Sequence, residues 1–199
     1  MQNSDELKAL IKEDLNEGEE VIWAGRPTQI KLLDMPYGSS IIIRWIICLV
    51  IVVFALWYGL IFVTSAENLR VSSNTIMLVC ILIAAFIALR PVMDVSKLQK
   101  KCCYFITNQR AITIISGSTR KFKDKLFADV SDIAYDIIAD DRGNVYIGPK
   151  LKNSQSKARV SALTPTMDSE EEKNRPHIFY NVAEPAEVVK FFPDLNAGV

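Results

Sequence analysis

The chain has 199 residues, half of them hydrophobic, with 23 basic side chains, 23 acidic side chains and one histidine. The charges are unevenly spread, because residues 45–63 and 71–89 are two runs without any Asp, Glu, Lys or Arg. The remainder has the charge content of an ordinary soluble protein. This distribution excludes a wholly water-soluble globule, and the patterned apolar segments outside the runs exclude a disordered chain.

Residues 1–40 are predicted to form a cytosolic N-terminal arm. Apolar residues at helical spacing predict a short amphipathic helix over residues 5–16, namely Leu7, Leu10, Ile11 and Leu15. The polar face of this helix is acidic, so an anionic membrane surface would repel it, and we expect the helix to pack on the soluble domain. A short strand is predicted to follow it, ended by Gly25 and Pro27.

Residues 41–93 are predicted to form a transmembrane helical hairpin. A helix needs roughly 20 apolar residues to cross a bilayer, and both uncharged runs reach that length. The alternative for the second run is the buried helix of a soluble protein, which its partner run disfavours. Residues 64–70 would connect the two spans.

The basic residues around the spans predict the orientation of the hairpin. Only Arg70 lies in the connecting loop, whereas seven basic residues flank the other ends of the spans: Arg26, Lys31, Arg44, Arg90, Lys97, Lys100 and Lys101. Positively charged flanks stay on the cytosolic side. We therefore expect a multi-pass protein of the bacterial cytoplasmic (inner) membrane with both termini in the cytosol.

Residues 94–199 are predicted to form a cytosolic antiparallel β-domain. Alternating or β-branched runs predict strands at residues 98–107, 111–116, 121–128, 132–138, 145–148 and 177–181, with a further candidate at 157–163. Residues 184–192 begin with Glu-Pro and predict a C-terminal helix. The polar residues 153–175 are expected to form a long excursion. The predicted class is α+β: a membrane hairpin with a β-sandwich or partly open barrel closed by a helix.

Several segments resemble the bacterial pleckstrin-homology-like (PH-like) domain membrane proteins. The most specific is a Tyr-x-x-Thr-Asn-x-Arg pattern, formed by Tyr104, Thr107, Asn108 and Arg110; the others are residues 18–27, 130–133, 143–148 and 179–189. The resemblance implies a PH-like β-sandwich with a C-terminal helix beside a membrane hairpin, and it carries no catalytic signature.

The turn in this pattern is expected to be structural. Asn108 tolerates left-handed backbone angles, and Thr107 can bond the nearby main chain. Arg110 is expected to hold the turn through a carboxylate.

The residues that usually carry chemistry are sparse. His177 is the lone histidine, Cys48 and Cys80 lie in the spans, and the adjacent Cys102 and Cys103 would point to opposite faces of a strand. No phosphate-binding loop or hydrolase motif occurs. We therefore predict no catalytic residues, no metal site and no cofactor, and expect that the protein is not an enzyme.

One charged cluster is the candidate contact site. Residues 97–125 hold eight basic residues and one acid, Asp124, whereas residues 129–141 hold five acids and no base. Apart from Arg110, the basic residues are candidates for contact with anionic lipid or a partner: Lys97, Lys100, Lys101, Arg120, Lys121, Lys123 and Lys125. The acidic segment would then face the cytosol or a partner. The alternative is a solvated surface that merely follows a membrane span.

These features predict a membrane-anchored PH-like binding or scaffold module, a non-catalytic subunit or adaptor of a membrane-associated assembly. Two alternatives stay open: an accessory subunit of a transporter or channel, and a lipid-sensing regulator acting through the basic face. The expected partners are membrane lipids and either another protein or further copies of the chain. Nucleic acid is not expected, because the net charge is zero.

Overall fold

The computed structural model describes residues 4–34, 37–62, 73–117, 120–139, 141–149, 154–163 and 175–193. The chain forms two compact units. One unit is Leu32–Met93, and the other combines Met1–Lys31 with Asp94–Val199. We call them the helical unit and the β-unit.

The helical unit contains the long helix α2 (Tyr37–Phe62) and most of α3 (Ser73–Lys101). Both helices are long and apolar enough to cross a membrane. Small residues such as Ala55 and Ala84 are buried, and a Cβ added at Gly59 would lie 2.8 Å from the Met77 Sδ, so the helices approach closely there. The predicted loop 64–70 lies outside the described residues.

Helix α3 is longer than the sequence pattern predicted. A strand was expected from residue 98, but the helix continues through Pro91 to Lys101, and strand β2 begins at Cys102. Proline removes a single backbone donor and does not always end a helix. The residues after Pro91 include good helix formers, and Leu98 is fully buried, so packing extends the helix.

The β-unit contains two antiparallel sheets. The first has the strand order β1 (Val21–Gly25), β2 (Cys102–Thr107), β3 (Arg110–Ile115) and β4 (Lys121–Leu126). The second has the order β5 (Ile133–Ala139), β6 (Arg142–Ile147) and β7 (His177–Ala183). Helices α1 (Ser4–Ile11), α4 (Ser154–Leu163) and α5 (Pro185–Val189) complete the unit, with short 3-10 turns at Lys12–Asp14 and Phe127–Asp129.

Strand β1 pairs with β2 although the whole helical unit separates them in sequence. Gly25, the last residue of β1, lies opposite Tyr104 near the start of β2. The hydrogen-bond register also aligns Cys102 with Ile115, and Ile115 with Lys121. We call this edge of the first sheet, where β1 ends and β2 and β4 begin, the junction end. The helical unit is therefore an insertion between two strands that are neighbours in the first sheet.

Both faces of the first sheet are buried at its centre. Leu7 and Ile11 of α1 pack on one face against Cys103, Phe105 and Ile112. This contact confirms the expectation that the N-terminal helix packs on the soluble domain. On the other face Tyr104 stacks on Phe179 of β7, with ring centroids 4.8 Å apart. Burial on both faces explains why β2 and β3 are almost continuously apolar.

Residues 157–163, a candidate strand from sequence, belong instead to helix α4. Ala158 and Ala162 are both buried, and their spacing of four residues places them on one side of a helix. The Arg159 Nε donates a hydrogen bond to the Tyr180 hydroxyl on β7 at 3.2 Å. Helical packing on β7 therefore outweighs the local alternation. The rest of the polar excursion, residues 164–174, lies outside the described residues.

Candidate functional site

The turn between β2 and β3 holds the segment that precedes β1. The Thr107 hydroxyl accepts a hydrogen bond from the Arg110 backbone N–H at 3.0 Å. The Asn108 side chain accepts from the Glu20 N–H at 3.1 Å and donates to the Gly18 carbonyl at 3.0 Å. Asn108 is not among the residues with positive φ, so the turn does not use the left-handed angles that Asn tolerates. Its amide instead ties two distant segments together.

Arg110 forms the charged centre of this arrangement. Its guanidinium donates two hydrogen bonds to the fully buried carboxylate of Glu19, each 2.9 Å long, and a third to Asp124 at 2.7 Å. The prediction that Arg110 holds the turn through a carboxylate is confirmed. The hydrogen bonds that Arg110 donates to Glu19 raise the pKa of Arg110. Burial acts to raise the pKa of Glu19, but the hydrogen bonds from Arg110, the Asn16 backbone and Thr107 outweigh it and hold that pKa below its usual value.

The predicted basic residues divide according to their position along the first sheet. Lys97, Lys100 and Lys101 are exposed on the last turns of α3, directly before β2. The Lys101 carbonyl accepts a hydrogen bond from the Ser116 N–H at 2.8 Å, and Lys121 begins β4 close by. These four lysines therefore gather at the junction end.

The other two lysines of β4 lie farther along the strand. Lys123 and Lys125 are half-buried, and the Lys123 ammonium donates to the Ser161 carbonyl of α4 at 3.4 Å. Both face the same side as His177, whose Nε2 lies 2.8 Å from the Thr113 hydroxyl oxygen. Burial, and to a lesser degree these two lysines, lowers the pKa of His177 well below its usual value.

Arg120 is placed differently from the lysines. Its guanidinium pairs with the Asp14 carboxylate and donates to the Leu10 carbonyl at 2.7 Å. Both groups belong to the N-terminal arm, so Arg120 ties that arm to the sheet. The candidate cluster is thus three groups of residues with different surroundings.

A polar chain that sequence reasoning missed crosses the second sheet. The Asp136 carboxylate accepts from the Tyr146 hydroxyl at 2.7 Å, and the Asn144 side chain accepts from the Asn181 N–H at 3.0 Å. The Asn181 side chain donates to the Thr28 hydroxyl at 2.8 Å. This series of hydrogen bonds therefore fixes the segment after β1. Its only sequence signal is Asn residues inside apolar strands.

The described residues contain no cluster of three or more His, Cys, Asp or Glu residues placed to hold a metal ion. Cys103 belongs to the core beneath α1, and Cys102 is fully buried. Burial raises the pKa of the Cys102 thiol to about 12, so this group is protonated at neutral pH.

No protein-family model, curated protein or solved structure matches this chain. The geometry of the site therefore carries the functional argument.

Proposed function

We propose that the chain is a membrane-anchored, non-catalytic binding module: a PH-like β-sandwich held at the bacterial cytoplasmic membrane by a two-helix hairpin, with both termini in the cytosol. The order of four strands, then three strands, then a short helix supports the PH-like assignment. The apolar lengths of α2 and α3 support the membrane assignment.

The insertion of the helical unit between β1 and β2 is the observation that carries this proposal. Antiparallel neighbours lie about 5 Å apart, so the end of β1 and the start of β2 are side by side. A segment inserted between two strands that pair with each other favours an even number of membrane crossings. It also leaves the chain on both sides of the hairpin in the same compartment.

The junction end is the part of the first sheet that directly follows helix α3 along the chain. Its exposed lysines, Lys97, Lys100, Lys101 and Lys121, are suited to anionic headgroups. Each cation near such a surface contributes about 1 kcal/mol. Lys125 lies about 14 Å farther along β4, so we expect it to contribute less.

Membrane fractionation and thiol labelling test the anchor. The full chain should stay in the membrane pellet after an alkaline wash. In a background with the native cysteines replaced, Glu67→Cys should react with a membrane-impermeant maleimide in intact cells. The matched Glu17→Cys, on an exposed position of the arm, should react only after lysis. Release by the wash, or labelling of both positions in intact cells, would contradict the proposal.

Headgroup quenching tests the orientation. In the same background, Lys121→Cys and Leu126→Cys place a dye at exposed positions at opposite ends of β4. In nanodiscs containing headgroup spin-labelled lipid, the dye at residue 121 should be quenched more strongly, and anionic lipid should increase the difference. Equal quenching would remove the lipid contact from the proposal. Native mass measurement addresses assembly, because a closed ring of identical chains would favour the transporter alternative.

A further inference from the structure

The two sheets of the β-unit have four outer edges, and three of them carry a feature that discourages further pairing. β4 has lysines at alternate positions, β1 is a short strand with an irregular register after Val21, and α4 packs against β7. Charged side chains, short strands, bulges and covering helices are the usual protections of sheet edges. The fourth edge, β5, is seven residues long and contains neither lysine nor proline. Within the described part of the chain, no strand pairs with its outer side.

The β5 strand also presents apolar side chains to solvent. Tyr135 is 44% exposed and Ile137 is 62% exposed, and their spacing places both on one face. Helix α5 packs against both β5 and β6. A Cβ added at Gly143, the pairing partner of Ile137, would lie 3.0 Å from the Pro185 Cγ at the start of that helix. An apolar surface beside an open strand edge is therefore a feature of the described structure.

The β5 strand and the segments that flank it up to residue 141 carry only acidic charges, and Arg142, the base that pairs with Ala139 from β6, donates to the Gln29 carbonyl at 2.7 Å. Asp129, Asp132 and Asp141 are exposed near the two ends of β5, and residues 127–141 contain no basic residue. The Asp136 carboxylate already accepts hydrogen bonds from Tyr146 and the Asn144 backbone. The exposed acids therefore set the charge that an occupant of this edge would meet.

We propose that β5 is the docking strand for an extended, cationic segment of a partner protein, which adds to the second sheet as a further strand. Its backbone pairs with the open edge, alternate apolar side chains pack on Tyr135 and Ile137, and its Lys or Arg side chains lie near the aspartates. The inference rests on the proposed binding function and names the class of partner. Pairing of β5 with β5 of a second copy would bring the acids together. Residues 164–174 of the chain itself carry four acids and one lysine, so their charge has the same sign as that of the edge.

Fluorescence anisotropy with the full chain in a non-ionic detergent tests this docking. The probe is a labelled peptide of alternating Lys and Val, about nine residues long, which covers a typical strand. One matched peptide replaces Lys with Glu, and a second keeps the charge but has Pro at its centre, which removes a backbone donor. We expect the Lys-Val peptide to bind at least about tenfold more tightly than either matched peptide, after subtraction of binding to empty micelles.

Variants of the protein locate the binding to β5. Ile137→Lys should weaken binding about tenfold, because it removes apolar contact and repels the cationic probe. Ile22→Lys, at a 47% exposed position on the β1 edge, introduces the same charge and should leave binding unchanged. Asp129→Asn combined with Asp132→Asn should weaken binding several-fold at low salt and less at about 1 M salt, where charges are screened within about 3 Å. Protection of the buried thiols of Cys102 and Cys103 verifies that each variant is folded.

Three outcomes would overturn the inference: equal binding of all peptides, equal loss in the Ile137→Lys and Ile22→Lys variants, or self-association of the chain that Ile137→Lys abolishes. The last result would make a second copy the occupant. Failure of the anchor is a separate result. If the alkaline wash releases the chain but the chain still binds the Lys-Val peptide, the anchor is contradicted and the docking strand is supported. If the chain stays in the membrane but does not bind the peptide, only the docking strand is contradicted.

Discussion

The helical unit and the β-unit are specified by their sequences in different ways. In the helical unit, composition is sufficient, because long runs of apolar residues form two helices whose bulky side chains are mostly exposed. In the β-unit, particular pairs of distant residues determine the structure, such as Glu19 with Arg110 and Thr28 with Asn181. Single substitutions should therefore be costly in the β-unit and well tolerated on the exposed faces of the helices.

The largest effect is expected at Arg110. Arg110→Met leaves the buried Glu19 carboxylate without its charged partner, and breaking a buried pair from one side costs about 3–5 kcal/mol. The control is Arg120→Met, at an exposed ion pair worth about 1 kcal/mol or less. Both stability losses are measured by urea unfolding of the full chain in detergent, with the reactivity of the Cys102 and Cys103 thiols as the signal. Cys48 and Cys80 are first replaced by Ala, so that only these two thiols react. Equal costs for the two variants would contradict the assignment of Arg110 as the charged centre.

A smaller effect is expected at Gly143, which faces Ile137 on β5. Its Cβ position coincides with the backbone oxygen of Asp136, so Gly143→Ala forces the strands apart. Overpacking of this kind costs about 1–3 kcal/mol. Gly18→Ala is a control with open space around the added methyl group, although its positive φ adds some strain of its own. The same thiol assay measures the stability of both variants. If Gly143→Ala left the stability unchanged, β5 and β6 would separate easily to admit the added methyl group.

His177 predicts a pH dependence that the helical unit should lack. Its pKa in the folded protein lies well below 6.5, because burial and then Lys123 and Lys125 disfavour the charged form. Below pH 6.5 the unfolded chain binds a proton that the folded chain does not, so stability falls by up to about 1.4 kcal/mol per pH unit. No other histidine titrates there. His177→Gln should reduce the dependence of the urea midpoint on pH between about pH 5 and 6.5. An unchanged dependence on pH would contradict this role of His177.

The smallest effect is expected on the exposed face of the helical unit. Leu60 is 76% exposed, so Leu60→Ala removes no internal contact of note. Substitutions of this kind usually change stability by less than about 0.5 kcal/mol. Thermal unfolding in nanodiscs checks this. A large loss of thermal stability would show that Leu60 packs against another molecule. The contrast between the two units would then be weaker.

The same contrast explains what the sequence could predict. The apolar runs located both long helices, and alternation located most strands, because these patterns are local. Two local interpretations were wrong where packing decided the outcome: α3 continues past Pro91, and residues 157–163 form a helix against β7. The turn 107–110 was identified, but its partner, the segment 18–20, is about 90 residues away and has no local signal.

The basic residues illustrate the same limit. Their clustering in sequence suggested one surface, but the strand register separates Lys121 at the junction end from Lys125, and Arg120 is paired with the N-terminal arm. Charge counts therefore identified candidate residues without grouping them. The open β5 edge was visible in sequence only as an acidic segment, because the order of strands in a sheet cannot be read from local alternation.

The central claim is that the helical unit is an insertion in a single β-unit built from both ends of the chain. Its most direct test compares residues 94–199 alone with a chain in which residues 1–31 are joined to residues 94–199 by a flexible Gly-Ser linker of about ten residues. The fused chain should unfold in one cooperative step and protect Cys102 and Cys103, since it restores α1, β1 and the Glu19 carboxylate beside Arg110. The shorter chain should expose both thiols. Equal protection in the two chains would show that residues 94–199 form the folded domain without the N-terminal arm, and would contradict the account.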